Sequence, residues 1–272
     1  MLKIIILISL FRCFISNCDD AVTPITPVPM ISISLSLDVN RYVRRLIASI
    51  DYPVENLFVM IGNDNISTIE EIKNDINTAS ALAKTTKNCI RNIQIDVKLE
   101  NPGAAFGFNY GLHKMMARAG VEYVLICNSD ISFFPHTLSN FSASINKHIS
   151  DPNFGIGFTG LCCGGEWSTF AITRRLVEYI GFFDENIYPA YYEDTDYAFR
   201  IHLSGMKAYH FPRIHLIHGS INGSSDYISG IQDTLLPTYG TKAKEVKTNL
   251  LVLRCLFEKG LVASKKYIHL KW

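Results

Sequence analysis

Short apolar runs typical of buried strands alternate with helix-like segments between residues 31 and 127. The predicted strands span 31–37, 57–61, 93–99 and 123–127. The predicted helices between them span 40–50, 67–83 and 104–119. Strands this short and apolar can be covered on both faces, as they are in parallel sheets. The β-α-β-α-β-α-β order therefore predicts an α/β fold with a mostly parallel central sheet flanked by helices.

The pattern is less regular after residue 130. Helices are predicted near 136–147 and over 174–180, and strands at 155–160, 170–173, 207–211 and 214–217. A Pro-rich stretch over 19–29 predicts a stiff linker, and residues 231–272 predict a helical tail that is basic at its end. The main domain is therefore expected over 30–230.

The first 18 residues resemble a secretory signal. Lys3 is followed by an apolar stretch over 4–11, which Arg12 interrupts. The stretch is shorter than the roughly 20 apolar residues that a bilayer span needs. It predicts a cleaved signal or a weak membrane anchor, and it favours the secretory pathway over the cytoplasm.

Charge and cysteine content exclude two broad classes of protein. A net charge of +1 over 272 residues gives no basic surface for a nucleic acid. Seven cysteines in a chain of this length do not form a disulfide scaffold. Cys162 and Cys163 are adjacent and lack the two-residue spacer of a zinc or thiol redox motif, so no such role is predicted.

Polar residues follow two of the predicted strands. Asn63 and Asp64 come after the second strand, and Asn128, Ser129 and Asp130 come after the fourth. In open α/β sheets, ligands bind at the carboxyl ends of the strands. Mg²⁺ needs only one or two protein carboxylates when phosphates and waters complete its shell, which makes Asp130 a candidate ligand. A plain turn is the alternative, and for the triplet taken by itself the turn is favoured.

The segment that leads into the third helix contains two glycines on one helical face. Asn101 and Gly103 turn the chain, and Gly107 and Gly111 lie four residues apart. Each glycine costs about 1 kcal/mol relative to alanine in a helix, so close approach of a backbone or a ligand is expected. The helix N-terminus also favours an anion. No GxGxxG pattern is present, so a dinucleotide site is not predicted, and tight helix–sheet packing is the alternative.

The run 181–200 combines acidic and aromatic residues. Its carboxylates are Asp184, Glu185, Glu193, Asp194 and Asp196. Burial among aromatic rings can shift a carboxylate pKa toward a catalytic value. Asp196 and Arg200 are four apart and are expected to pair on a helix, which leaves Asp194 to act on a ligand as a general base. The alternative is a helix N-terminus whose acids complement the helix dipole, but this does not explain the aromatic neighbours.

Two histidines lie three residues apart near the end of the pattern. His215 and His218 would point to opposite faces of a strand, so they are not expected to bind one zinc ion. His218, at the strand end, is the candidate for a metal–diphosphate, with a structural histidine as the alternative.

Taken in order, these pieces resemble glycosyltransferase family 2 and its relatives with the GT-A fold, a Rossmann-like α/β fold. The likeness covers roughly 30–220 and rests mainly on Gly-Phe-Phe-Asp-Glu, Tyr-Glu-Asp-Thr-Asp, Arg200 and Gly205 within 181–205. The Asn-x-Asp form of the 128–130 triplet resembles the rhamnosyltransferase-like branch. Residues 37–40 lack the Pro-x-Tyr-Asn pattern of the family, which weakens the assignment of a base-binding site.

The resemblance implies a metal-dependent inverting transfer of one sugar from a UDP- or dTDP-sugar to a hydroxyl of a glycan, lipid or protein. It implies that Asp194 is the general base, that Glu193 shapes the acceptor site, and that Asp130 and His218 hold Mg²⁺ or Mn²⁺. The absence of a Gln-x-x-Arg-Trp motif favours non-processive transfer.

The resemblance also implies a set of residues that contact the donor and the acceptor. The donor residues are Asn63, Asp64, Asn101, Gly103, Gly107 and Asn128, and the acceptor pocket contains Trp167 and Tyr192. One alternative function is a sugar-nucleotide nucleotidyltransferase, although 38–50 has no Gly-rich phosphate loop. The other is a non-catalytic sugar-binding module of the same fold.

Overall fold

The computed structural model describes residues 26–36, 42–62, 74, 78, 90–98, 102–159, 166–187, 193–211, 214 and 216–218. The predicted signal-like segment and the predicted C-terminal tail lie outside the described residues. Of the predicted helix over 67–83, positions 74 and 78 are described, and both are helical.

Nine strands and five helices have defined bounds within the described part of the chain. The first half contains β1 (Ile31–Ser36), α1 (Arg44–Ala48), β2 (Val54–Gly62), β3 (Ile90–Lys98), α2 (Ala104–Met116), β4 (Tyr123–Cys127) and β5 (Ile131–Phe133). The second half contains α3 (Thr137–His148), β6 (Phe154–Thr159), β7 (Thr169–Thr173), α4 (Arg174–Ile180), α5 (Glu193–Ser204), β8 (Lys207–Phe211) and β9 (Leu216–His218). A short 3₁₀ turn, Glu166–Ser168, precedes β7.

Seven strands form the central sheet in the order β3-β2-β1-β4-β7-β6-β8. Strands β3, β2, β1 and β4 are parallel, and β8 is parallel to β6. Strand β7 runs antiparallel to both of its neighbours, β4 and β6. The predicted α/β fold with a mostly parallel central sheet is therefore confirmed. A separate two-stranded sheet pairs β5 with β9.

The sheet is covered on both faces, and its strands divide their side chains between two apolar layers. In β4 all five residues are buried: Leu125 and Cys127 join the layer under α1 and α3, and Val124 and Ile126 join the layer under α2, α4 and α5. This alternation follows from the two-residue period of a strand. It explains why β4 is a continuous apolar run in the sequence.

Helix α2 packs very closely against the sheet at Gly111. A β-carbon at this position would lie 2.6 Å from the Cβ and the Oγ of Ser32 in β1. The predicted close approach is thus present at Gly111, and the neighbour is a strand side chain. This observation supports the tight-packing explanation of the glycine pair at this position.

Several predicted boundaries change because the sheet pairing extends or shortens them. Strand β2 is longer than the predicted 57–61, since it is central and pairs with both β1 and β3. The last predicted strand, 214–217, is observed two residues later, so that His218 lies within β9. Strand β5 was not predicted. None of the helices in the described ranges combines the length and apolarity that a bilayer crossing needs.

Candidate active site

The turn after β4 lies at the carboxyl end of the parallel part of the sheet and is held by β1 on one side and by the turn before β7 on the other. The Ser34 hydroxyl of β1 donates to the Cys127 carbonyl at 3.2 Å and to Asn128 Oδ1 at 3.3 Å. The Asn128 backbone N–H donates to the Ser168 carbonyl at 2.8 Å. Asn128, predicted to contact the donor, is thereby fixed at the strand end.

Asp130 and His218 come together at this turn. Asp130 Oδ1 lies 3.4 Å from His218 Nε2, and both side chains are less than one fifth exposed. The register of the small sheet explains the approach, because Ile131 of β5 pairs directly with His218 of β9. The structure thus brings together the two residues that the sequence predicts as metal ligands.

The donor atoms of this pair suit a divalent cation. Two cis ligands with bonds of about 2.1 Å lie roughly 3 Å apart around an octahedral ion, close to the observed separation. A carboxylate oxygen is a ligand that suits Mg²⁺ and Mn²⁺, and an imidazole nitrogen is a ligand for divalent transition-metal ions. No group of three or more His, Cys, Asp or Glu side chains with metal-binding geometry occurs in the part of the chain that the structure describes. A cation held by this pair would need further ligands, a role that phosphate oxygens and waters commonly fill.

Helix α1 contacts the same turn from the side. Arg45 Nη2 donates to the backbone carbonyl of Asp130 at 2.8 Å. The Ser49 hydroxyl accepts a hydrogen bond from the Phe133 N–H at 3.0 Å and donates to the Leu46 carbonyl at 2.7 Å. No local pattern in the sequence indicates a role for Arg45, because this contact joins residues 85 positions apart.

The loop that follows α4 is held through its backbone by side chains of α5. Tyr197 donates its hydroxyl to the Gly181 carbonyl at 2.9 Å. Arg200 Nη1 donates to the carbonyls of Ile180 and Phe182, each at 2.9 Å. Burial raises the pKa of the Tyr197 phenol, so Tyr197 keeps the proton that it donates.

Asn109 of α2 holds the next residue of this loop. Its Nδ2 donates to the Phe183 carbonyl at 3.0 Å, and its Oδ1 accepts the Phe183 N–H at 2.9 Å. The same Nδ2 donates to Glu185 Oε1 at 2.7 Å. Asn109 is 2% exposed, so these bonds satisfy its amide group in the core. This residue was missed in the sequence, where it lies between the two predicted glycines.

The acidic residues of the 181–200 run separate into different roles. Asp196 pairs with Arg200 at 2.9 Å, which confirms the pairing predicted from their spacing. Asp184 accepts hydrogen bonds from the backbone and side chain of Asn186 at 3.0 and 2.8 Å. With Glu185 bound to Asn109, both early acids order the loop.

Glu193 and Asp194 begin helix α5. Glu193 is 6% exposed, whereas Asp194 is half-buried. Asp194 Oδ1 accepts the Thr195 N–H at 2.6 Å and the Thr195 hydroxyl at 3.2 Å. These contacts fix the Asp194 carboxylate at the helix start, where a carboxylate complements the helix dipole.

The aromatic residues beside the acids support the loop from below. Phe183 stacks on Tyr197 with ring centroids 3.9 Å apart. Trp167, predicted in the acceptor pocket, is half-buried and contacts this pair edge-on, with centroids at 6.0 Å from Phe183 and 6.4 Å from Tyr197. The structure therefore places Trp167 in the aromatic layer beneath the loop that precedes the candidate base.

Of the remaining predicted donor and acceptor residues, Gly103 and Gly107 lie in the described part of the chain. Gly103 has a φ of 94° and directly precedes α2, so the turn predicted there is present. Gly107 is buried within α2 and donates its N–H to the Gly103 carbonyl at 3.1 Å. Asn63, Asp64, Asn101, Tyr192 and His215 lie outside the described residues.

A cleft of about 600 Å³ lies between this loop, α2 and the edge strand β3. Its walls include Asp96 of β3, Tyr110 and Lys114 of α2, and Glu185. Burial opposes ionisation of Asp96, but hydrogen bonds from Gln94, Tyr110 and Lys114 outweigh it and lower the pKa of this carboxyl. The Lys114 ammonium is 3.1 Å from Asp96 Oδ2.

The fold and this site can be compared with known proteins. No protein-family model matches the chain. A galactofuranosyl glycosyltransferase of Leishmania donovani is 50% identical over 42 residues, which are 15% of this chain and 10% of that protein.

Two solved structures are similar over most of the described domain. The crystal structure of GalNAc-T7 with UDP, GalNAc and Mn²⁺ aligns with a TM-score of 0.53 at 10% identity, over 71% of this chain and 44% of that chain. Residues 1–349 of S. aureus TarS align with a TM-score of 0.48 at 17% identity, over 68% of this chain and 58% of that chain. In each comparison this chain spans less than two thirds of the protein that it matches. The likeness to GalNAc-T7 shows that the fold is that of GT-A glycosyltransferases.

Proposed function

We propose that this protein is a metal-dependent inverting glycosyltransferase that moves one sugar from a nucleotide-diphosphate sugar to an acceptor hydroxyl. The observation that carries the proposal is the Asp130–His218 pair, 3.4 Å apart at the carboxyl end of β4 in a GT-A fold. The position is the one at which open α/β sheets bind ligands.

The Asp130–His218 pair would hold Mn²⁺ or Mg²⁺, and the bound cation would neutralise negative charge on the diphosphate leaving group. The presence of UDP and Mn²⁺ in the GalNAc-T7 structure supports this choice of ligands. Asn128, held by Ser34, would contact the donor beside the metal.

Asp194 is proposed as the general base. Its carboxylate would take the proton of the acceptor hydroxyl, and the acceptor oxygen would then bond to the anomeric carbon. The bond from that carbon to the phosphate oxygen breaks on the opposite face, so the nucleoside diphosphate leaves with the bonding electron pair and the configuration inverts. Glu193, more deeply buried at the same helix start, would shape the acceptor side.

One screen tests the proposal directly. The purified chain is incubated with UDP- and dTDP-sugars and Mn²⁺, with and without EDTA, and release of the nucleoside diphosphate is measured. We expect turnover with at least one donor and its loss in EDTA. Absence of turnover with every donor would refute the proposed enzyme, and absence of metal-dependent nucleotide binding as well would refute the proposed metal–nucleotide site.

Matched carboxylate variants separate the roles. Asp194→Asn should bind the donor normally and lose turnover by about 10²–10⁴-fold, the usual contribution of general-base catalysis. Asp151→Asn is the control. Asp151 pairs with Lys207 at the amino ends of β6 and β8, whereas the candidate metal site lies at the carboxyl end of β4. If Asp194→Asn and Asp151→Asn bind and turn over donor alike, the protein is a sugar-binding module or uses another base.

A further inference from the structure

We infer that Arg45 is a positioning residue for the metal-binding turn. Its guanidinium Nη2 donates to the Asp130 backbone carbonyl at 2.8 Å, in a half-buried setting at the last turn of α1. This inference rests on the proposed function, because it assigns Asp130 to the cation.

The contact with Arg45 uses the backbone of Asp130, whereas the candidate metal ligand is its side-chain carboxylate. Arg45 binds the backbone carbonyl, while the Asp130 carboxylate faces His218 at 3.4 Å. Fixing the carbonyl fixes the peptide plane after Asp130, and thereby the direction in which its side chain leaves the turn. Such outer contacts orient ligands and commonly change metal affinity by 10–100-fold when they are removed.

Arginine is better suited to this contact than lysine. Its guanidinium is planar and delocalised, so it can hold a carbonyl in a defined direction, whereas the lysine ammonium is a compact charge on a flexible stem. A lysine here would also be free to swing to the Asp130 carboxylate and compete with the cation. Arg45→Lys should therefore retain only part of the Mn²⁺ affinity of wild type.

Ser49, the residue directly after α1, provides a matched comparison. It joins α1 to the same segment through the Phe133 N–H at 3.0 Å, three residues beyond Asp130. Loss of this bond would loosen α1 against β5 without touching the Asp130 peptide. Arg44, adjacent to Arg45 and exposed, controls for the change of charge.

The test is a Mn²⁺ titration with UDP present, in which electron paramagnetic resonance measures the free Mn²⁺. The proteins compared are wild type, Arg45→Met, Arg45→Lys, Ser49→Ala and Arg44→Met. Thermal unfolding without metal gives the structural effect of each change. We expect the Mn²⁺ dissociation constant to rise about 10-fold in Arg45→Met and by less in Arg45→Lys, with the two controls within about twofold of wild type.

Each outcome decides the inference. The inference is overturned if Arg45→Met has the Mn²⁺ dissociation constant of wild type. It is also overturned if Ser49→Ala and Arg45→Met lose the same Mn²⁺ affinity and the same melting temperature. If Arg45→Met does not fold, the same comparison is made with Arg45→Lys, and wild-type affinity there overturns the inference. A wild-type protein that binds no Mn²⁺ overturns both the metal site and the role of Arg45. A wild type that binds Mn²⁺ and UDP but turns over no donor refutes only the proposed enzyme, and the Arg45 comparison still decides the positioning role.

Discussion

At the scale of single residues, the Asn109 amide links α2 to the loop before α5. It satisfies both backbone groups of Phe183 at 2.9 and 3.0 Å inside the core. Asn109→Ala leaves both groups without this partner, and a buried unsatisfied group costs about 1–3 kcal/mol. We therefore expect the free energy of unfolding, measured with urea, to fall by about 2–4 kcal/mol.

The control for this prediction is Asn146→Ala, which removes an exposed amide on α3 that contacts Ser142 Oγ at 3.5 Å. This change should cost less than about 0.5 kcal/mol, as surface substitutions usually do. Equal losses in Asn109→Ala and Asn146→Ala would show that the Phe183 contact contributes no stability.

Gly111 tests the closeness of α2 to the sheet. Alanine at this position would gain about 1 kcal/mol of helix propensity, but its Cβ would lie 2.6 Å from Ser32. Overpacking of this kind typically costs 1–3 kcal/mol. We expect Gly111→Ala to destabilise the fold by a net of up to about 2 kcal/mol in urea unfolding. Ser32→Gly in the same chain should recover part of that loss in a double-mutant cycle, whereas a higher stability of Gly111→Ala alone would contradict the contact.

What the sequence can predict at this scale depends on separation along the chain. Asp196 and Arg200 are four apart, so helical geometry alone predicts their pair. Asn109 and Phe183 are 74 residues apart, and neither has a local pattern that indicates the other. Arg45 and Asp130 are likewise distant along the chain, so their contact could not be predicted before the fold was known.

At the scale of elements, apolar strands and helical spacing predict the parallel half of the sheet well. Strands β2 and β4 carry nearly continuous apolar residues because both layers of the core cover them, whereas the edge strand β3 alternates because one layer packs on it. The pairing of β5 with β9 involves three residues on each side, too few for a periodic signal. The direction of β7 is also invisible in its sequence, since buried strands look alike in either orientation.

The edge strand β3 carries a pH-dependent contact. Burial raises the pKa of Asp96, but hydrogen bonds from Gln94, Tyr110 and Lys114 outweigh it, so the net effect lowers this pKa below its usual 3.8. A carboxyl with a lowered folded-state pKa adds stability above its unfolded pKa, and this stability is lost as the pH falls through the folded value. We expect wild type to be more stable than Asp96→Asn at pH 7, with the difference shrinking below about pH 4.

Urea unfolding of both proteins from pH 7 to pH 2.5 measures this difference. Gln94→Ala removes one neutral donor to Asp96, so its stability should differ from that of wild type with the same sign but by a smaller amount. A difference between wild type and Asp96→Asn that stays constant over this range would contradict the assignment.

At the scale of the whole molecule, the residues of the candidate site come from parts far apart in sequence. Asp130 lies in the turn after β4, His218 lies in β9, and Asp194, the proposed base, lies at the start of α5. The two-stranded sheet and the loop contacts of Asn109, Tyr197 and Arg200 connect these parts to the central sheet. Ligand binding should therefore stabilise the global fold as well as the turn.

A metal and a nucleotide should stabilise the fold only together. A ligand at 100 times its dissociation constant adds about 2.7 kcal/mol to the free energy of unfolding. For a domain of this size that corresponds to a rise of roughly 5–10 °C in melting temperature. We expect this rise with UDP plus Mn²⁺, and a much smaller one with UDP in EDTA, because in the proposed site the nucleotide would be held through a cation bound by Asp130 and His218. Asp130→Asn should remove most of the rise, while Asp151→Asn should keep it. An equal rise in EDTA would mean that the nucleotide binds without the cation, and the Asp130–His218 pair would then be a structural contact.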